Sequence, residues 1–145
     1  MRSLTVDDLS SFLEEPVVAV LATFRQDGSV LLSPVWHEWR DGGFNLWVGR
    51  DNAKTKHLRR DPRATIVVAE SGLPLRGVEV RAVAQFVEQG AAETARRIAT
   101  RYLGPDVGAT YTANANDEDD VVVRIEPGHV RAWDFADEYD NPRPE

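Results

Sequence analysis

The chain has 145 residues, 42% of them hydrophobic and 28% charged, with a formal net charge of −7. Those values describe one globular domain with a single core, too acidic for general nucleic-acid binding and without an apolar run able to span a bilayer. There is no cysteine, which excludes disulfides, thiolate metal sites and cysteine nucleophiles and sets the expectation of a cytoplasmic protein.

In chain order, Thr5 is placed to cap a first helix, with Asp7 and Asp8 complementing the dipole of its opening turn and Pro16 following its end. Leu4, Leu9, Phe12 and Leu13 form its apolar stripe. Residues 17–24 read as an apolar strand, Asp27-Gly28 as a turn, and residues 30–39 as a second strand, together a β-hairpin. Pro34 inside the second strand requires an edge or a bulge. Another turn at Asp41-Gly42-Gly43 leads into a third strand over 44–49. A short helix follows, with Asp51 or Asn52 as candidate cap, ending before Pro62.

Residues 64–69 are almost continuously apolar, as in a strand covered on both faces, whereas residues 78–87 alternate as in a half-buried one. Residues 91–103 read as a helix stopped by Gly104-Pro105. The polar stretch 107–120 reads as a mobile loop, residues 121–133 as a last strand bent at Pro127-Gly128, and the acidic tail from Asp134 as a fraying end. The elements sum to one sheet-dominated α+β domain of about six strands and three helices, whose edges a closed or split barrel would protect.

One stretch stands out. The chain's two lysines, Lys54 and Lys56, lie two residues apart, while arginine supplies the other fifteen basic residues. With Arg50, Arg59, Arg60 and Arg63 they reverse the local sign of an acidic protein between two strands. Such a patch attracts an anion, and lysine serves phosphate as a compact point charge. A helix N-terminus adds unpaired N–H groups and the positive end of a dipole. On a regular helix, however, positions two apart point to different sides, so Lys54 is the better phosphate ligand and Lys56 faces a different anion unless the segment is loop-like.

The ordered set Val18-Ala19-Val20-Leu21-Ala22-Thr23, Asp27-Gly28, Ser33-Pro34-Val35-Trp36, Lys54-Thr55-Lys56-His57-Leu58, Arg59-Arg60-Asp61-Pro62-Arg63 and Val121-Val122-Val123-Arg124-Ile125-Glu126-Pro127 resembles the pyridoxamine 5′-phosphate oxidase-like split-barrel family. More narrowly it resembles the branch that uses the deazaflavin coenzyme F420. The resemblance runs from about Val17 to Trp133 and implies a split β-barrel homodimer with the cofactor in a groove at the dimer interface. It implies that Lys54 holds the cofactor phosphate and that Lys56, beside Thr55, is a second cation for phosphate or for the acidic tail of the deazaflavin. Ser33, Pro34, Val35 and Trp36 would lie along the ring, and Val48, Gly49 and Arg50 would line the ring or ribityl region. The implied reaction is hydride transfer from the reduced deazaflavin to a small conjugated substrate. Flavin mononucleotide is the alternative cofactor, and a non-catalytic binding module the alternative role. Two departures are a histidine, His37, where many relatives carry an aromatic, and the lack of a hydroxyl near Val48, which disfavours the ordinary flavin.

His37 is the one histidine on the proposed cofactor strand, a candidate proton donor set against a packed strand histidine. His57 supports the lysine helix, and His129 lies beside a turn. Three scattered histidines give no metal-ligand spacing, so no metal is expected. Asp117-Glu118-Asp119-Asp120 lacks the ligand pattern of a calcium loop and reads as a solvated acidic loop.

Overall fold

The computed structural model describes residues 4–136, and the acidic tail beyond Ala136 lies outside the described residues. The described residues form nine strands and four α-helices. One sheet has the order β2-β1-β5-β6-β9 and the other β3-β4-β8-β7, with every pairing antiparallel. The strands are β1 (Ala19–Phe24), β2 (Val30–Val35), β3 (His37–Arg40), β4 (Gly43–Gly49), β5 (Arg63–Ala69), β6 (Gly77–Val83), β7 (Gln85–Val87), β8 (Asp120–Ile125) and β9 (His129–Trp133).

The sequence suggests six strands and the fold has nine because three long runs pass from one sheet to the other. Residues 30–39 divide at Trp36, 78–87 at Ala84, and 121–133 at Pro127-Gly128. At the second corner the Ala84 N–H donates to the Pro62 carbonyl, 2.7 Å away, the last rung of the β5–β6 register before the chain crosses to β8. At the third, a Cβ on Gly128 would fall 2.6 Å from the Arg81 carbonyl, so only glycine lets the turn approach β6 this closely. The sheet-dominated α+β expectation therefore holds, and the barrel is split rather than closed.

Period-two alternation fills the space between the sheets. Leu21, Phe44, Leu46, Ile66, Val68, Val78, Val80, Val121, Val123 and Ile125 are buried in one cluster with Phe12 and Leu13 of α1 (Ser10–Leu13). A 3-10 turn over Asp7–Leu9 leads into α1. Its entry is held by the reciprocal pair in which the Thr5 N–H donates to Asp8 Oδ2 at 2.7 Å and the Asp8 N–H to Thr5 Oγ1 at 3.4 Å. Helix α3 (Ala91–Leu103) covers the outer face of the second sheet with Ala91, Ala95, Ile98 and Ala99. Asp117 caps it, accepting from the Ala91 N–H at 2.8 Å.

The stretch read as a mobile loop, 107–120, is ordered otherwise. Helix α4 spans Pro105–Tyr111, with proline in its first turn, and Thr112 Oγ1 donates back to the Gly108 carbonyl. A Cβ on Gly108 would lie 2.8 Å from the Thr100 backbone nitrogen, so the missing side chain lets α4 press against α3. The polar composition hid a contact that smallness creates. No helix among the described residues is long and apolar enough to cross a membrane.

Candidate functional site

Helix α2 spans Ala53–Arg60, the short helix expected ahead of Pro62. Asn52 stands at its N-cap with extended backbone but makes no side-chain cap, so among the described residues no side chain closes the first N–H groups. Thr55, fully buried, donates through Oγ1 to the Gly49 carbonyl at 2.6 Å and pins the β4–α2 turn. Farther along, His57 Nδ1 and Thr23 Oγ1 lie 3.2 Å apart, and Arg60 Nη2 donates to the Phe24 carbonyl at 2.6 Å, so α2 is fastened to β1.

The arginines of the basic stretch are all engaged within the chain. Arg50 donates through Nε to the Asp117 carbonyl at 2.8 Å and through Nη1 to Glu88 at 2.7 Å. Arg59 takes the other oxygen of Glu88 at 3.0 Å and lies 3.7 Å over the Phe86 ring. Arg63 pairs with Asp61 at 2.7 Å. Among the described residues neither Lys54 nor Lys56 has an ion-pair or hydrogen-bond partner for its ammonium. Lys54 is half-buried and Lys56 exposed, both within regular helix, so the two ammonium groups diverge. Burial pushes the Lys54 ammonium below the ordinary lysine value, a cost that a bound anion would relieve.

The residues expected along the ring fall into two groups. Ser33, Pro34 and Val35 pair with Leu21, Val20 and Ala19 of β1. Pro34 is exposed, Ser33 half-exposed and Val35 buried. Val48 faces the core at 4% exposure, so its side chain lines no groove, while its neighbour Gly49 is half-exposed. Arg50 belongs to the Glu88–Asp117 clamp. Trp36 stacks on Tyr102 with ring centroids 4.8 Å apart and planes within 9°. Tyr111 lies 5.7 Å from Trp36 and 6.0 Å from Trp47, which brings the β2 end and the β4 end to one aromatic cluster. Tyr111 and Glu88 are not among the residues the sequence singles out, and Asp117 reads there only as part of a solvated acidic loop. Tyr111 sat in an apparent loop, and nothing in the sequence alone pairs Glu88 with Arg50.

His37 points the other way. Its ring has no exposed surface. Nε2 lies 3.0 Å from the Val17 carbonyl, so Nε2 carries the hydrogen, and the buried Nδ1 has no partner among the described residues. The ring meets Phe44 edge-on at 5.5 Å. Burial, with a smaller contribution from the Arg101 charge, lowers its pKa from 6.5 to about 3. Donating a proton to a bound substrate requires a ring atom at the surface, and His37 offers none; the packed strand histidine describes it better.

A pH dependence follows. Between about 3 and 6.5 the unfolded chain takes up a proton that the folded chain refuses. The His37 contribution is therefore complete above 6.5 and lost as pH falls from there, by up to about 1.4 kcal/mol per pH unit. Urea unfolding at pH 7, 6 and 5 should show this slope in the wild type and lose it in His37→Leu; equal slopes in the two proteins would refute it.

Comparison with known proteins agrees with this geometry. A model of the pyridoxamine 5′-phosphate oxidase family matches residues 5–134. The chain is similar to a conserved hypothetical protein, Rv2991, from Mycobacterium tuberculosis, at 28% identity and a TM-score of 0.77, covering 98% of this chain and 91% of that one. It shares the fold of a protein described as an F420 reductase, at 24% identity and a TM-score of 0.72, over 83% of this chain and 94% of that one. It also shares the fold of an FAD-binding protein from Mesorhizobium loti, at 19% identity and a TM-score of 0.66, over 90% and 93%. With the family match running through both sheets, the lysine helix and the aromatic cluster, the chain belongs to the pyridoxamine 5′-phosphate oxidase family.

Proposed function

We propose that this protein is an oxidoreductase that binds coenzyme F420 beside the lysine helix and passes a hydride to a small conjugated substrate. The observation that carries the proposal is Lys54, a half-buried ammonium with no partner among the described residues, in the first turn of α2, whose N-cap side chain makes no capping bond. A phosphate there would meet a point charge, open N–H groups and the positive end of a dipole. Lys56, also without a partner among the described residues, points elsewhere, which suits a cofactor with acidic groups beyond one phosphate. This favours the deazaflavin over flavin mononucleotide.

When bound, the deazaflavin supplies the hydride chemistry. The chain's own residues bind and orient. Thr55 fixes the turn at Gly49, the Arg50–Glu88–Arg59 clamp fixes the two ends of that turn and helix, and Tyr102 holds Trp36 flat. A second copy completes the groove in this reading. Leu32 and Val30 are 64% and 45% exposed and share one face of β2 with Pro34, and Val18, just before β1, is 47% exposed, an apolar surface suited to self-association. A chain without cysteine suits the cytoplasm.

The flavin mononucleotide reading keeps its support from the family match. Fluorescence titration with each cofactor decides between them: the deazaflavin should bind at least tenfold more tightly. Protein that purifies yellow with a flavin spectrum and ignores the deazaflavin would overturn the proposal. Tight binding without turnover on conjugated acceptors would leave a cofactor-binding module.

A further inference from the structure

A second cluster of cations lies on the outer face of the five-stranded sheet. Cross-strand register puts Thr65 of β5, Arg81 of β6 and His129 of β9 in one row, and Arg63 follows two residues before Thr65 on the same face. Together with Phe24 they line a cavity of about 480 Å³. The neighbouring row is complementary, since Glu79 opposite Arg131 makes an ion pair at 3.2 Å. The Arg81 row has no such partner. Among the described residues the side chains of Arg81, His129 and Thr65 make no hydrogen bond or ion pair. Both nearby carboxylates are already held, Glu79 by Arg131 and Asp61 by Arg63, which lowers the Asp61 pKa to about 2. A hydroxyl, a guanidinium and an imidazole thus stand side by side on one exposed sheet face, with no protein acceptor for them among the described residues.

We propose that this cavity is a second anion site, which takes the phosphate or carboxylate group of a small molecule between Arg81, His129 and Thr65. Arg63 forms one wall, its guanidinium 4.7 Å over the Phe24 ring and anchored by Asp61. The close approach of Gly128 to the Arg81 carbonyl sets His129 beside Arg81, so the corner of the barrel shapes the site. It is separate from the lysine site: Lys54 is in the first turn of α2, whereas Arg60, in the last, bonds the carbonyl of Phe24 at the cavity. The helix between them is about 12 Å long, so one phosphate group cannot occupy both sites.

The experiment is a titration of the isotope-labelled full chain with inorganic phosphate, and separately with acetate, followed by the backbone amide signals of Thr65, Arg81 and His129 at constant ionic strength. Saturable shifts at these three residues are expected, with the tighter of the two anions naming the ligand group. Arg81→Gln should weaken the response about tenfold, the loss of one charge-assisted hydrogen bond. Lys54→Ala should leave it unchanged, whatever that variant does to cofactor binding. The proposal is overturned if the shifts only track added sodium chloride, if Arg81→Gln titrates like the wild type, or if the response disappears with Lys54→Ala.

Discussion

Lys54→Ala should weaken deazaflavin binding by about ten- to a hundredfold, the range expected when a charge-assisted hydrogen bond is removed from a partly buried site. The reason lies in what Lys54 lacks: the four arginines around it are engaged with Glu88, Asp61, Asp117 or the Phe24 carbonyl, and among the described residues none pairs with the Lys54 ammonium. Lys56→Ala should cost less, because its exposed charge acts through solvent, and that smaller loss should shrink as salt is raised. Lys54→Arg should recover only part of the affinity, since a planar fork replaces a point charge at a helix terminus. Fluorescence titration of the four proteins at low and high salt checks all of this. Affinity in Lys54→Ala within twofold of the wild type would end the phosphate-anchor assignment.

The lysine pair was legible because composition exposes it: two lysines among seventeen basic residues, inside one strand–helix–strand segment. The α2 boundaries were legible for the same local reasons, a cap position before Ala53 and Pro62 after the end. What the sequence withheld depends on distance. Nothing local in residues 78–87 says that the chain changes sheets at Ala84, because the change is a change of partner: β6 pairs with β5 in one sheet and β7 with β8, more than thirty positions on, in the other. His37 looks like a catalytic candidate by its position beside Trp36, but β3 pairs it with Leu46 and turns it inward with the core. Arg50 looks like a cofactor ligand until Glu88 and Asp117 arrive from the loops on either side of α3 and α4. Long-range partners decide which polar residues remain free, and those partners appear only once the strands are paired.

The same logic gives the largest stability effect. Glu38, 5% exposed on β3, accepts from Arg97 Nε at 3.0 Å, from Arg97 Nη2 at 2.8 Å and from Asn45 Nδ2 at 2.9 Å. Burial pushes its carboxyl up, but the hydrogen bonds from Arg97 and Asn45 outweigh burial and hold it below the ordinary carboxylate value. Its contribution is therefore present above the ordinary carboxylate range and lost as pH falls below it. Arg97→Met would leave a buried carboxylate with one neutral donor, and should destabilise the fold by about 3 kcal/mol at neutral pH, near the low end for a broken buried pair because Arg97 is itself partly exposed.

The sign of the pH response should then reverse. With the arginine gone, burial dominates and raises the Glu38 carboxyl, so the variant regains stability relative to the wild type, which carries the same His37 slope, as pH falls and the group takes up a proton. Glu38→Leu combined with Arg97→Met should recover most of the loss, since apolar groups of similar size often replace a buried ion pair at little cost. Urea unfolding at pH 7.5 and 5 measures both effects, and an Arg97→Met protein as stable as the wild type at pH 7.5 would refute the argument. The pair also joins β3 to α3, the helix that carries Tyr102 onto Trp36. Loss of the Arg97 anchor should therefore loosen that stack as well as the fold, visible as a change in tryptophan fluorescence of the still-folded variant.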